Sequence, residues 1–239
     1  MFTPQQLASI LFIDIETASI VPTYEDLPEP MQPLWDKKAR RYARDFPEDT
    51  PASEIFPQRA AIHAEFGRVV CISCGYLKFD AAGQPSLNTK SFYGEDEYQI
   101  LSEFGPTLDQ FSQKFGPKFQ LCAHNGKEFD YPYLGRRYLV HGLPLPGPLQ
   151  IQGKKPWEVN LLDTMELWKF GDYKAYTSLE LLTAILGVPS PKEDIDGSQV
   201  GRVFWEEKNY ERIMQYCEQD VKATAQVLLR MARQPLIAD

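Results

Sequence analysis

The sequence predicts an α/β fold with a mixed central sheet, an antiparallel hairpin within it, and helices on both faces. Three observations carry this. Short apolar runs of strand length recur along the chain, and they alternate with stretches in which apolar residues return every 3.6 positions. Two neighbouring runs, Arg68–Phe79 and Thr89–Tyr93, are separated by Asp80–Pro85, a turn with Gly83 as its pivot, so an antiparallel pair is the natural pairing. With 239 residues, 43% of them hydrophobic, the chain can bury a sizeable core. We read one domain over residues 1–239 with an insertion at about 20–66.

The first strand is Leu11–Thr17, an apolar run with acids at alternate positions. From Ile20 to Glu65 the chain is rich in proline and charge, which marks the insertion; helical stretches are expected at Met31–Asp45 and Ala52–Glu65. After the hairpin, Glu95–Phe115 has helical period through Ile100, Leu101, Phe104, Leu108 and Phe111, and Phe119–Ala123 is a further short strand. A helix is expected over Glu128–His141. Leu143–Pro156 carries too many prolines to be regular. Val159–Leu162 is the last strand. Asp163 then caps a helix with Glu166 completing a capping box, and Thr177 with Glu180 repeats the signature before Leu181–Leu186. Asn209–Met231 is the long final helix.

The net charge of −8 disfavours a protein that grips nucleic acid by broad phosphate neutralisation. Acids that face an anionic substrate require intervening cations. No secretory leader or membrane-spanning run is visible, and Cys71, Cys74, Cys122 and Cys217 lie in apolar stretches, so we expect a reducing, cytoplasmic setting. Cys71 and Cys74 form a C-x-x-C, but without a second pair at zinc-ribbon spacing they read as core cysteines.

Asp14 and Glu16 stand two apart in an apolar strand, so both carboxylates project to one side. Two adjacent anions there are costly unless cations or donors compensate; the alternative is a pair salt-bridged at a strand end. Asp130 falls in the first turn of a helix after the loop His124–Phe129, where an acid also suits the helix dipole. Tyr216 and Asp220 lie one turn apart on the final helix, beside the apolar stripe Ile213, Cys217, Val221, Thr224 and Leu228. A tyrosine in such a place is commonly there for packing.

Together the three pieces, D-x-E, N-x-x-x-F-D-x-P-x-L and Y-x-x-x-D, resemble the DEDDy branch of the DnaQ-like 3′→5′ exonucleases. Phe12–Thr17, the Asn125 segment and Asp194–Gly201 are similar, more narrowly, to the free-standing bacterial group related to the exonuclease domain of family-B DNA polymerases. The resemblance implies a ribonuclease-H-like fold and metal-dependent removal of nucleotides from a 3′ end, with DNA, single-stranded or with an unpaired terminus, favoured over RNA. It implies two divalent metals, Mg²⁺ or Mn²⁺, about 4 Å apart. Asp14 would bridge them, Glu16 and Asp220 would complete the site that activates water, and Asp130 would support the second metal.

A phenol, with a reference pKa of about 10, is a poor general base at neutral pH, so Tyr216 is cast as the orienter of the attacking water. Asn125 and the backbone around Thr17 are candidate contacts to the terminal nucleotide. Phe129 would pack near the site or anchor its helix. Lys174, in the Tyr173–Thr177 loop, would meet phosphate or be solvated. The sister branch uses a histidine just ahead of the last aspartate. This chain has Tyr216 there, so His124 is read as structural. The basic run Lys37, Lys38, Arg40, Arg41 and Arg44 would guide a strand or form a solvated helix face. Two features depart from the family pattern: the long insertion and the sequence pI near 5.0. Trimming of RNA 3′ ends and a non-catalytic nucleic-acid-binding module are the competing readings; no membrane partner is expected, and the sequence names no protein partner.

Overall fold

The computed structural model describes residues 2–42, 44–172, 174, 176–189 and 194–238. Its centre is a five-stranded sheet in the order β3-β2-β1-β4-β5, formed by β1 Ile10–Ser19, β2 Gly67–Phe79, β3 Pro85–Tyr93, β4 Gln120–Ala123 and β5 Leu161–Asp163. β1 is antiparallel to β2 and parallel to β4, β4 is parallel to β5, and β2 and β3 form the hairpin. β2 therefore opposes the other four strands, the ribonuclease-H-like arrangement that the sequence predicts. Gly83, at φ 80°, takes the left-handed turn position of the hairpin.

The helices are α1 Pro4–Leu7, α2 Gln32–Ala39, α3 Ala52–Arg59, α4 Glu97–Phe115, α5 Asp130–Val140, α6 Thr164–Lys169, α7 Leu179–Leu186, α8 Val200–Arg202 and α9 Tyr210–Met231. Alternation along β1 divides them between the two faces. Leu11, Ile13 and Ile15 pack with Leu101 and Phe104 of α4 and Tyr131 and Leu134 of α5. On the other face, Ile10 and Phe12 pack with Val221, Ala225 and Leu228 of α9, and Ala18 packs with Ile213 and Cys217. The row Ile10, Phe12, Asp14, Glu16, Ala18 thus runs along α9, with two carboxylates in its middle.

Two irregularities surround those carboxylates. β4 pairs with β1 only as far as Phe12, opposite Cys122, so the loop after β4 and the start of α5 lie beside Asp14 rather than another strand residue. The β1–β2 register shifts between Glu16, opposite Cys71, and Thr17, opposite Val69; the extra residue, Val70, makes a bulge of the kind that often re-aims side chains beside a site.

Several boundaries differ from expectation. The insertion helices are shorter: α2 tightens into a 3₁₀ turn at Arg40–Tyr42, and α3 ends at Arg59. Between them Pro47, Pro51 and Asp49, at φ 65°, break the helical path. Their apolar residues converge instead on a cluster of their own around Trp35, Phe56 and Phe66. The last strand is Leu161–Asp163 rather than Val159–Leu162, because pairing sets Leu161 against Leu121 and Asp163 against Ala123. Asp163 caps α6 as expected, but Glu166 turns to Lys127 at 2.6 Å instead of completing a box. Ser178, not Thr177, caps α7, through a bond from the Leu181 amide at 3.2 Å. Cys71 and Cys74, three apart on β2, belong to clusters on opposite faces of the sheet, so they cannot close on one metal.

Candidate active site

The D-x-E pair behaves as its spacing demands. Ligand atoms of Asp14, Glu16 and Cys217 lie within 4.8 Å of one another. Glu16 is buried, at 8% exposure, and Asp14 is partly buried. The Cys217 thiol donates to Asp14 Oδ2 and to the Asp14 carbonyl, both at 3.3 Å. Burial, followed by the negative charges of Asp220, Glu16 and Asp130, raises the Asp14 carboxyl well above the usual carboxylate range; the thiol bond opposes this. The third motif is therefore brought to the first across the α9 face, with Asp220 one helical turn beyond Tyr216. Tyr216 is partly buried and packs against the cluster of Ile213 and Cys217.

Asp130 opens α5 and is buried, at 3% exposure. Burial raises its carboxyl to about 7. Asp163 and Asp220 add to the rise, while its own amide and the Ile15 amide oppose it. The Ile15 bond places Asp130 directly against β1, between the two acids of that strand in sequence. Its Oδ1 has no hydrogen-bond partner although it is buried. An orphaned carboxylate oxygen is expensive, and here it belongs to a cluster whose other members are also acids. An oxygen-rich set of this kind fits hard divalent cations. Burial and the neighbouring Cys71, Asp14 and Glu16 push the Cys217 thiol up, so it enters the cluster as a neutral donor rather than a thiolate ligand.

The loop that delivers Asp130 is held by Asp163, whose capping pattern in the sequence points only to α6. Asp163 Oδ1 accepts from the Asn125 amide and from the Met165 amide, each at 2.9 Å, and Oδ2 accepts from the Lys127 amide at 3.1 Å. One carboxylate thus serves two separate structures, the α6 terminus and the motif loop. An acid closing a strand and opening a helix was the available signal; its second set of partners lies 36 to 38 residues upstream. Cys217 likewise shows in the sequence only as part of the apolar stripe.

The remaining candidates divide. Asn125 stands at φ 61°, and its side-chain oxygen is buried without a hydrogen-bond partner. Thr17 is buried and hydrogen-bonds the Tyr133 phenol. The Phe129 ring packs 5.3 Å from that of Tyr133 on α5. Lys174 is exposed, and its amide donates to Asp172 Oδ1 at 3.0 Å; Tyr173 of the same loop lies outside the described residues. His124 is structural as read: Nδ1 pairs with the Thr164 hydroxyl at 2.8 Å and Nε2 with the Thr177 carbonyl at 2.9 Å, and burial lowers its pKa.

A family model described as "Predicted 3'-5' exonuclease related to the exonuclease domain of PolB" matches residues 61–235. That span contains Asp130, Tyr216 and Asp220 and begins after Asp14 and Glu16. No curated protein matches the chain. Among solved structures, Escherichia coli exonuclease I in complex with a dT13 oligonucleotide is similar at 12% identity and a TM-score of 0.43, over 94% of this chain and 42% of that one. The RNase domain of the yeast Pop2 protein is similar at 12% identity and a TM-score of 0.42, over 96% of this chain and 80% of that one. The chain spans about two fifths of the length of exonuclease I.

Proposed function

Because the chain belongs to the family of predicted 3′-5′ exonucleases related to the exonuclease domain of PolB, we propose that it removes nucleotides from the 3′ end of DNA, on a single strand or an unpaired terminus. The observation that carries this reading is the position of Asp14: partly buried in an apolar row, and within the fields of Asp220, Glu16 and Asp130. Four acids so placed repel one another and a phosphate alike, and the cluster makes chemical sense as a cation site. The relation to a polymerase exonuclease domain supports DNA over RNA.

In this reading Asp14, Glu16, Asp130 and Asp220 would hold two divalent cations, Mg²⁺ or Mn²⁺. Bound there, such cations neutralise the phosphate charge and lower the pKa of water. Tyr216 donates a hydrogen bond that orients the attacking water in line with the bond to be broken. Asn125 and the Thr17 backbone seat the terminal nucleotide, and Lys174 meets phosphate. Attack on phosphorus breaks the bond to the 3′-oxygen of the preceding nucleotide, which leaves as a hydroxyl, and releases a 5′-mononucleotide. Among the described residues no helix is long and apolar enough to cross a membrane, and the four cysteines are free and buried. A cytoplasmic enzyme of one domain belongs to the same proposal.

The test is digestion of matched 3′-labelled DNA and RNA oligomers by wild type, D14A and D220A, with Mn²⁺ and with chelator. Stepwise shortening of the DNA by wild type alone, dependent on the metal, is expected. Undiminished activity of either variant would sink the assignment, and faster shortening of the RNA would replace the substrate.

A further inference from the structure

The insertion between β1 and β2 carries a positive face that the carboxylate site does not use. Residues 37–44 include Lys37, Lys38, Arg40, Arg41 and Arg44, five of the 25 basic residues of the chain. The protein as a whole is an anion, so its attraction for a polyanion has to be local. Lys37, Arg40, Arg41 and Arg44 are exposed. Among the described residues, the ion pair formed within this run is that of Lys38 with Glu65, at 2.9 Å. Asp36, which precedes the run, accepts from the Tyr24 phenol at 2.9 Å, and the exposed acids Asp45, Glu48 and Asp49 bound the positive stretch at its other end.

The face is rigidly mounted. Trp35 is wholly buried, with ring centroids 5.2 Å from Phe56 and 5.1 Å from Phe66, and its indole donates to the Ala52 carbonyl at 2.8 Å. Tyr42 bonds His63 Nε2 at 2.6 Å. The segment also grows from the elements that carry the acids. It leaves β1 just beyond Ser19, where the Ile20 amide donates to the Phe66 carbonyl at 2.9 Å. The Ala61 and Ala64 carbonyls accept from Tyr133 and Arg137 of α5, each at 2.8 Å, and Asp130 is the first residue of that helix. The region matched by the family model starts at residue 61, so the positive face lies outside it.

We propose that the 37–44 face binds the phosphodiester backbone of the nucleic-acid strand whose 3′ end enters the carboxylate site. This rests on the nuclease reading above. Cations that meet phosphates displace condensed counterions and read no sequence, so the grip is independent of sequence, weakens with salt, and strengthens as the strand grows long enough to reach the face.

The test compares R40A/R41A/R44A with K78A/K114A/K118A, which removes the same charge from exposed lysines elsewhere. Affinity for a fluorescent single strand of about thirty nucleotides is measured with Ca²⁺ replacing Mg²⁺, across roughly 50 to 200 mM salt. Loss of three phosphate contacts is expected to flatten the slope of log K against log salt by about 2. KM for the same strand should rise about tenfold or more, in line with that loss of affinity. Hydrolysis of the p-nitrophenyl ester of thymidine 5′-monophosphate, too short to reach the face, should be unchanged. An unaltered slope and KM, or equal flattening in the lysine control, would overturn the proposal. Wild-type protein that leaves both oligonucleotide and ester intact overturns the nuclease reading instead, and the binding slope still tests the face by itself.

Discussion

The thiol of Cys217 donates to the carboxylate of Asp14 at 3.3 Å, tying the last helix to the first strand at the centre of the acid cluster. It also donates to the Asp14 carbonyl, so it restrains both the backbone and the side chain of that residue. Replacing Cys217 by alanine is expected to cost about 1–2 kcal/mol, the usual range for removing one partner of a buried hydrogen bond. Turnover should fall several-fold as Asp14 loses its restraint. Serine, which keeps a donor, should recover most of both. Denaturant unfolding and steady-state kinetics check this, and a C217A variant equal to wild type in both would show the contact to be idle.

Asp163 should matter more than a helix cap does. A cap alone contributes about 1 kcal/mol. D163A also strands the Asn125 and Lys127 amides that present the motif loop, so a loss of roughly 2–4 kcal/mol is expected. D163N keeps one acceptor oxygen and should fall between. Hydrogen exchange at the amides of Asn125 and Lys127 would rise selectively in D163A. Exchange unchanged there would mean that other contacts hold the loop.

Acidity provides a third expectation. The folded-state carboxyl of Asp130 is raised to about 7, and that of Asp14 is raised as well. Between the unfolded carboxylate range near 4 and pH 7 the native state therefore binds more protons than the unfolded chain, and metal-free stability must fall as pH rises through that window. The loss is on the order of a few kcal/mol. Divalent metal, which binds the ionised native cluster, should restore stability most at the upper end of the window. Thermal melts from pH 4 to 8, with and without Mn²⁺, check the sign; stability that climbs with pH in chelator would contradict it. D130N should flatten the profile.

Tyr216→Phe removes a hydroxyl and little volume. If the phenol orients the attacking water, kcat should fall about 10²-fold while metal affinity and KM hold nearly constant. Calorimetric Mn²⁺ titration alongside kinetics distinguishes this from a packing role, in which stability would fall and kcat would not.

A fifth expectation concerns the frame behind the site. Glu97 is 3% exposed and holds Arg137 through Nε at 2.8 Å and Nη2 at 2.6 Å, accepts the Val69 amide at 2.7 Å, and pairs with His141 at 2.8 Å. Burial opposes its charge, and these donors overcome it, leaving the carboxyl below its ordinary range. Its stabilising contribution is accordingly present above the unfolded carboxylate pKa and is lost as pH falls through the lowered one. R137M should destabilise by about 3–5 kcal/mol, since it leaves a buried charge without its main partner. A loss under 1 kcal/mol would show that water replaces the guanidinium.

Local periodicity accounts for part of the site. Two-residue alternation put Asp14 and Glu16 on one side of β1, the four-residue step put Tyr216 and Asp220 on one side of α9, and the turn at Gly83 joined the hairpin, because strand and helix periods depend only on backbone geometry. What those faces meet depends on long-range packing. Nothing local says that Cys217, one place along from Tyr216, faces Asp14 some two hundred residues earlier, or that Asp163 reaches back to the Asn125 loop. Two boundaries also moved with the long-range partners: β5 sets Asp163 against Ala123, and Ser178 caps α7 while the Thr177 carbonyl accepts from His124. Capping and register are settled by fractions of a kcal/mol locally, whereas burial of the sheet and helix faces that sets those long-range partners is worth several.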